Sequence, residues 1–593
     1  MDGQRANIST ISRLLFRLLP AQILLSGVGA VNGLVSGFFA TNYVGIDAMS
    51  AVGLYAPLNM LITSVTTVLV GGCAILCGKY MGRNEQDKMQ NVFSLNLVLS
   101  LLVAIAFILA YSALGVFDLT GFLTRDAEVR RIFNQYILGM AIGTVPLVLG
   151  SSLASFLAIE NKGRRTIFAS LIYIAANILL NFIFVQVLSL EAFGLALASS
   201  LGLWIFFLVQ AETFLSGRAH LRMLLRGIRW ADTFQIFKIG LPGAISNIYQ
   251  TARGLIVNHL LDVYIGSAGL SSFAASNSLL TLIWAIPGGM IAVSRLMISV
   301  SVGEEDRQTL TDVMRVMFRR FLPLMGAVIA ALILGSVPLT RIFYQNPAEP
   351  VFMMTVWGFR ILPLCMPFSI IYMHFTCYCQ TSGRQVLAHV EALLDGVVCV
   401  AGFTALLIPW TGIHSVYIAN ILNGVVTVGI FFIYAWVKNR HVPKNLEELM
   451  VIPPQFGALP EERLDFSVRS PEDVVAISER IQAFCLARGV SSRSAYLAGL
   501  SMEEMAGNVV DHGFRKDNKK HSVDVRVVHK NDAVLLRIKD DCVPFDPGER
   551  RAITDTDDPA KNIGIRMIFK MAEDVNYQNI LGLNVLTIKI PDR

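Results

Sequence analysis

Apolar runs of membrane-spanning length recur from about residue 14 to residue 436 and then stop; beyond them, short apolar and polar stretches alternate as in a soluble domain. A spanning helix needs about 20 apolar residues, and by that measure the runs predict about twelve, near 14–40, 51–78, 91–115, 133–158, 166–188, 192–215, 238–262, 268–297, 319–337, 351–378, 386–408 and 413–436. Pro20, Pro146, Pro242, Pro287, Pro363 and Pro367 fall in these runs, where freed backbone groups must be satisfied inside a bundle. Past Val437 the period changes. Alternation predicts strands near 464–468, 522–529, 533–540 and 584–590, and helices near 471–488, 492–512 and 562–572. Ser470 ahead of Pro471 is a capped helix start. A sheet with helices on one face is the expected class for this part.

The apolar part repeats itself. Leu19-Pro20 with Asn42-Tyr-Val-Gly45 returns as Leu241-Pro242 with Val263-Tyr-Ile-Gly266, and Met81-Gly82-Arg-Asn-Glu-Gln returns as Val302-Gly303-Glu-Glu-Asp-Arg, at a shift of about 221 residues. Lys162-Gly163-Arg164 matches Ser382-Gly383-Arg384 in the same way. A duplicated six-helix unit explains this, with two parallel lobes around a midplane cavity, the plan of an alternating-access carrier.

Composition agrees with the split. Of 593 residues 54% are hydrophobic and 16% charged, with a mean hydropathy of +0.57, against roughly 25% charged in soluble proteins. No signal peptide is visible, because Met1 to Thr10 is polar and the first apolar run is long enough to stay as a helix. Basic residues gather in alternate loops: Lys79, Arg83 and Lys88, then Lys162, Arg164 and Arg165, then 218–238, 307–320, Arg384, and Lys438, Arg440 and Lys444. The positive-inside rule therefore predicts both termini on the cytoplasmic side, and the expected location is a bacterial-type inner membrane. The eight cysteines lack paired CxxC spacing and read as small buried apolar residues. No nucleic-acid partner is expected. The expected divisions are 12–225 and 226–437 for the lobes, 438–462 for a basic, proline-bearing linker beside anionic headgroups, and 463–593 for the soluble domain.

Intramembrane ionisable residues are costly and hence candidates for function. Glu391 and Asp395 stand four apart in an apolar span, Glu391 being either part of a site or solvated near the membrane boundary. Arg253 either meets cargo in the cavity or pairs with a carboxylate such as Asp395, and a cavity arginine suits an anionic or zwitterionic solute. Arg360 is a further polar residue of the spans; His374 reads as a packing histidine, and Asn177 and Asn181 as bonds between helices. In the soluble part Glu504, Asn508 and His512 recur every four residues and share a helix face. Asp540-Asp-Cys542-Val-Pro-Phe-Asp-Pro547 follows a strand, and Asn562-Ile-Gly564 opens a helix whose amides suit a phosphate.

Over about 12–437 the order Asn42-Tyr-Val-Gly45, Ala51-Val-Gly-Leu54, Gly78-Lys-Tyr-Met-Gly82-Arg83, Ile159-Glu-Asn-Lys-Gly163 and Asn177-Ile-Leu-Leu-Asn181-Phe182 resembles the multidrug and toxic-compound extrusion (MATE) transporters. The resemblance implies twelve helices in two lobes and efflux of an organic or amphiphilic solute, driven by H+ or Na+. One departure bears on coupling: Ala40 stands where many relatives carry a carboxylate, and Leu14 to Val44 contains no Asp or Glu. Over about 463–591 the Glu504-to-Asn508, Asp540-to-Pro547 and Asn562-to-Gly564 motifs resemble the GHKL ATPases, most closely the anti-sigma serine kinases. That resemblance implies ATP with Mg2+ on Asn508, Glu504 orienting or deprotonating the attacking group, Asp540 on the adenine amino group, Gly564 beside the phosphates, His512 on the same face, and a lid over Gly548 to Lys561. Cys542 and Asn562 replace motif glycines, so both turns must accept a side chain. The full expectation is a multi-pass α-helical membrane protein followed by an α/β-sandwich GHKL domain, a carrier whose ATP-binding domain regulates it. Two rivals stand beside it: a membrane sensor whose kinase-like domain acts on a cytoplasmic regulatory protein, and a flippase for lipid-linked or polysaccharide cargo.

Overall fold

The computed structural model describes residues 2–592 apart from 40–42, 45, 84, 123–126, 218, 225–227, 459, 469, 515–520, 522, 531–532, 544–546, 548–562 and 581. At some further positions, mostly within 2–10, 28–37 and 46–57 and including 267, 278, 512, 530, 563 and 580, only the backbone is described. The first half of the membrane part comprises α1 (Asp2–Phe39), α2 (Ile46–Gly82), α3 (Gln86–Val116), α4 (Ala127–Ile142), α5 (Thr144–Ile159), α6 (Gly163–Asn181) and α7 (Glu191–Leu215). The second comprises α8 (Ala231–Ile265), α9 (Ser267–Ile283), α10 (Ala285–Gly303), α11 (Arg307–Val316), α12 (Leu322–Leu334), α13 (Ser336–Arg341), α14 (Pro350–Ile361), α15 (Met366–Thr381), α16 (Gln385–Leu393), α17 (Cys399–Thr411) and α18 (His414–Asn439).

Among the described residues nine helical stretches are long and apolar enough to cross a membrane, and α4 with α5, bent by 44°, makes a tenth. The helices α1 and α8, of 38 and 35 residues, fill the places of the first and seventh expected spans. Helix α1 begins near the chain start rather than at residue 14, so its first turns extend the apolar run with a polar one.

The halves meet along α1 and α2 on one side and α8 and α10 on the other, where glycines replace side chains. A Cβ on Gly72 would lie 2.2 Å from the Ile236 carbonyl oxygen, one on Gly240 2.1 Å from that of Val68, and one on Gly303 2.2 Å from that of Lys79. One on Gly82 would meet the Val300 carbonyl at 2.3 Å, which explains the Gly78-to-Gly82 motif as close backbone approach. These contacts seal the seam at the end of the bundle that carries the basic loops.

The soluble part holds α19 (Leu446–Met450), β1 (Arg463–Val468), α20 (Pro471–Leu486), α21 (Ser492–Asn508), β2 (Val523–Lys530), β3 (Ala533–Asp540), α22 (Ile563–Met571), β4 (Asp574–Ile580) and β5 (Leu583–Pro591). Ser470 and Asp473 close a reciprocal capping box at the start of α20. The sheet is antiparallel throughout, in the order β1-β2-β3-β5-β4. Its edge strand β4 is not predicted by the sequence, because Asn576, Gln578 and Asn579 have weak strand preference and pairing with β5 decides the matter. Val523, Val525, Val527, Val534, Leu536, Ile538, Leu586 and Ile588 form the inner face, packed under α20, α21 and α22.

Alternation puts Arg526, Arg537, Lys539 and Lys589 on the outer face, with Arg526 directly opposite Arg537. Facing like charges are unfavourable unless acids sit between them. The acids come from the loop joining α10 to α11. Glu304 accepts from Lys539 at 2.9 Å and from Arg537 at 3.4 Å, and Asp306 pairs with Arg526 and with Lys539 at 3.5 Å. Burial raises the Asp306 carboxyl pKa, but Arg526, Lys539 and Arg537 override it and hold the group well below its ordinary value. Its contribution to docking is therefore complete above about pH 4, the unfolded carboxylate range, and is lost only as pH falls through the depressed value.

The linker is not a loose basic strand along headgroups, as expected. Arg384 donates to the Met450 carbonyl at 2.6 Å and to that of Val451, while Arg307 pairs with Glu447 at 2.7 Å and donates to the Pro453 carbonyl at 3.2 Å. The linker and sheet are thus pinned to the second half of the membrane part. Glu304→Gln with Asp306→Asn is expected to weaken this docking by about 3–5 kcal/mol, the scale of breaking buried ion pairs. Faster acylation of Lys539 in the full chain would report it, with Asn still able to cap α11 as Asp306 does through Thr309.

Candidate functional sites

In the second lobe the helix carrying Glu391 and Asp395 leaves the α-helical register. Residues Leu394–Val398 form a π turn, a distortion enriched at functional sites, and it carries Asp395 into the lobe interior. Asp395 is buried, and its Oδ1 accepts from the Tyr372 hydroxyl at 2.6 Å and the Asn423 amide at 2.8 Å. Glu391 is buried as well, so the alternative of a solvated boundary residue does not describe it. Two carboxyls one turn apart in an apolar bundle, with hydroxyl and amide donors, make a site able to hold a cation or a proton.

Arg253 reaches this site differently from the expected ion pair. Its Nη1 donates to the Asp395 backbone carbonyl at 3.1 Å, satisfying a group that the π turn releases. Arg360 donates to Ser336 at 3.0 Å and lies over Trp357, a packing role. His374 joins the Ile370 carbonyl at 2.6 Å and Ser294 at 2.8 Å, as a packing histidine does. Asn177 donates to Ser199 of α7 at 3.5 Å, the expected bond between helices, whereas Asn181 donates to the Asn177 carbonyl at 2.8 Å within its own helix. Sequence reasoning passed over Tyr372 and Asn423, which stand on other helices with no spacing to mark them. It also passed over Arg295 on α10, whose Nη1 faces Gly71 across the seam and whose Nε is buried with no hydrogen-bond partner among the described residues. Ala40 lies outside the described residues.

In the soluble part the three motifs converge. Glu504 on α21 sits against Gly564 at the start of α22, where a Cβ would meet Glu504 Cδ, so a side chain there would displace the carboxylate. Asn508 is the last residue of α21 and half-buried, one turn beyond Glu504. A π turn, Val509–Gly513, follows it and carries His512, whose side chain lies outside the described residues. Asp540 ends β3 buried, its Oδ1 accepting from the Asn584 amide at 2.8 Å and the Cys542 backbone N–H at 2.9 Å. Burial pushes the Asp540 carboxyl above its ordinary value against these two donors. The Cys542 backbone needs no positive φ, so this turn accepts a side chain where the motif has glycine. Asn562 and the lid, 548–561, lie outside the described residues. Asn584, on β5, is the site residue that sequence missed; it is 44 positions from Asp540 and meets it only through β3–β5 pairing.

A buried carboxylate for an exocyclic amine, a glycine under a helix start and an amide side chain beside a carboxylate fit ATP with a magnesium ion. The "Histidine kinase-like ATPase domain" family model matches residues 468–590. The MatE family model matches 28–183 and 242–394, more than half of the chain. The chain belongs to the MATE family. Its relatives include the probable multidrug resistance protein NorM of Oceanobacillus iheyensis, 23% identical over 355 residues, which cover 56% of this chain and 75% of that one. NorM of Halalkalibacterium halodurans is 22% identical over 297 residues, 48% of this chain and 63% of its own. Among solved structures, an outward-facing conformation of a multidrug resistance MATE family transporter of the MOP superfamily superposes with a TM-score of 0.67 at 19% identity, covering 72% of this chain and 96% of that one. A MATE in the bent conformation gives 0.66 at 19%, covering 74% and 97%. The MATE fold thus carries a histidine-kinase-like ATPase domain behind its last membrane helix.

Proposed function

We propose that this MATE protein exports an organic or amphiphilic solute from the cell, driven by a proton or sodium gradient, under the control of its ATPase-like domain. The observation that carries the reading is Asp395, buried on a π turn beside Glu391 and held by Tyr372 and Asn423. With no carboxylate in Leu14 to Val44, coupling falls to the second lobe. Glu391 and Asp395 supply the exchangeable charge, and Arg253 holds the π turn on which Asp395 sits. Arg295 and Arg253 give the membrane region a positive character that favours a solute with an anionic group.

Both termini and the basic loops face the cytoplasm of a bacterial-type inner membrane in this reading, which puts the ATPase-like domain where ATP is. There Asp540 and Asn584 would hold the adenine edge, Asn508 the magnesium ion and the α22 start near Gly564 the phosphates. A cytoplasmic regulatory protein as partner has less support, because the outer face of the sheet is filled by the chain's own Glu304 and Asp306.

The test uses the full chain in vesicles with imposed ion gradients and a panel of fluorescent cationic, zwitterionic and anionic amphiphiles. Uptake into inverted vesicles is expected to follow one gradient and to vanish when an ionophore for that ion dissipates it. Transport indifferent to both gradients would remove the carrier reading.

A further inference from the structure

The domain touches both lobes, and the two attachments differ in kind. Its hold on the second lobe is covalent through the linker and buried through Glu304, Asp306, Arg307 and Arg384. Its hold on the first lobe is of another kind: α1 packs along β1 and β2 without covalent linkage, Val585 is buried in the apolar cluster that includes Ile11 and Leu14 of α1, and the polar contacts lie near the surface. Arg13 on α1 pairs with Asp541 at 3.4 Å, both partly exposed, and Gly582 rests on Asn161, where a Cβ would come within 2.4 Å of the amide. The repeat explains the asymmetry: the first-lobe copy of the docking loop reads Arg83-Asn84-Glu85 where the second reads Glu304-Glu305-Asp306, so the basic sheet face fits only the second. Inward opening of a two-lobed carrier separates the lobes at the end where this domain sits. The domain then stays with the second lobe and must let go of the first.

The point of release lies in the nucleotide motif. Asp540 turns its carboxylate inward to Asn584, and the next residue, Asp541, turns outward to Arg13 and to His521, whose Nδ1 is 2.9 Å away. We propose that the 540–542 turn reads nucleotide on one side and the first lobe on the other, so that bound ATP strengthens the Arg13–Asp541 contact and clasps the two lobes together at their basic ends. The proposal rests on ATP binding as read above. The sign follows from order: adenine held by Asp540 fixes the 540–542 turn, and a fixed turn keeps Asp541 within reach of Arg13, so the docked domain binds ATP more tightly. By linkage, ATP favours docking by the same factor.

The test takes the full chain in nanodiscs and measures two quantities. The first is the affinity for magnesium-ATP in the parent and in Arg13→Gln, with an expected loss of about two- to fivefold, the scale of a partly exposed pair. The second is the distance between spin labels at Asp87→Cys, in the first turn of α3, and Val386→Cys, in the first turn of α16. ATP is expected to shift the distribution toward the shorter distance in the parent and to leave it unmoved in Arg13→Gln, with Arg13→Lys restoring the response. Equal affinities in parent and Arg13→Gln, or a distance indifferent to ATP in a parent that binds it, would overturn the clasp alone. A parent that binds no ATP would overturn the nucleotide reading and the clasp with it.

Discussion

Asp395→Asn is expected to abolish ion-driven efflux, by more than about tenfold in initial rate, while the protein remains folded and binds magnesium-ATP as before. Asparagine has the same shape and keeps an oxygen to accept from Tyr372 and Asn423, so the hydrogen bonds that fix the π turn survive. Arg253 is also undisturbed, since it binds the backbone carbonyl of residue 395 and not its carboxylate. What disappears is the charge, and with it the ability to exchange a cation or proton. Removing a buried charge is commonly neutral or stabilising, so the melting temperature should hold or rise. The decisive comparison is efflux under an imposed gradient against binding of the same solute without one. Lost efflux with retained solute binding assigns Asp395 to coupling. Efflux at the parent rate would move coupling away from this cluster altogether.

Much of this architecture is legible in the chain because it is written in local period. Runs of about 20 apolar residues, the 221-residue repeat and the change of period after Val437 each report a physical constraint within one segment. The motif residues Glu504, Asp540 and Gly564 are also legible, and the fold brings Glu504 against Gly564 across an intervening hairpin. Partners on other segments are not. Tyr372 and Asn423 look like any polar residues of apolar helices until the π turn at Leu394–Val398 swings Asp395 toward them, and a uniform 3.6-residue period cannot announce that turn. Asn584 is selected by the register of β3 against β5, which the sequence does not state. Glu304 and Asp306 show in the sequence only as one copy of a repeat. Their meaning comes from Arg526 and Arg537 standing face to face on adjoining strands.

Asp540→Asn should separate binding from folding in the ATPase-like domain. The Asn584 amide and the Cys542 N–H both donate to Oδ1, and an asparagine oxygen in that place accepts them equally well. The second carboxylate oxygen becomes an NH2 group, which meets the adenine amino group donor to donor. Losing a hydrogen bond to a charged acceptor costs about 1.5–3 kcal/mol, so the magnesium-ATP Kd of the full chain should rise about 10- to 150-fold. Stability should move the other way. Burial raises the folded-state pKa of Asp540, so its ionised form disfavours the native state once pH exceeds the unfolded value of about 4, and asparagine removes that cost. The variant is therefore expected to melt higher than the parent at pH 7, with the advantage shrinking as pH falls and gone below about 4, where the aspartate becomes protonated whether folded or not. A variant that binds ATP as tightly as the parent would place adenine elsewhere in the domain. One that loses both affinity and melting temperature would make Asp540 a structural support for β3 and β5, and leave the search for the nucleotide contact to Glu504 and Asn508.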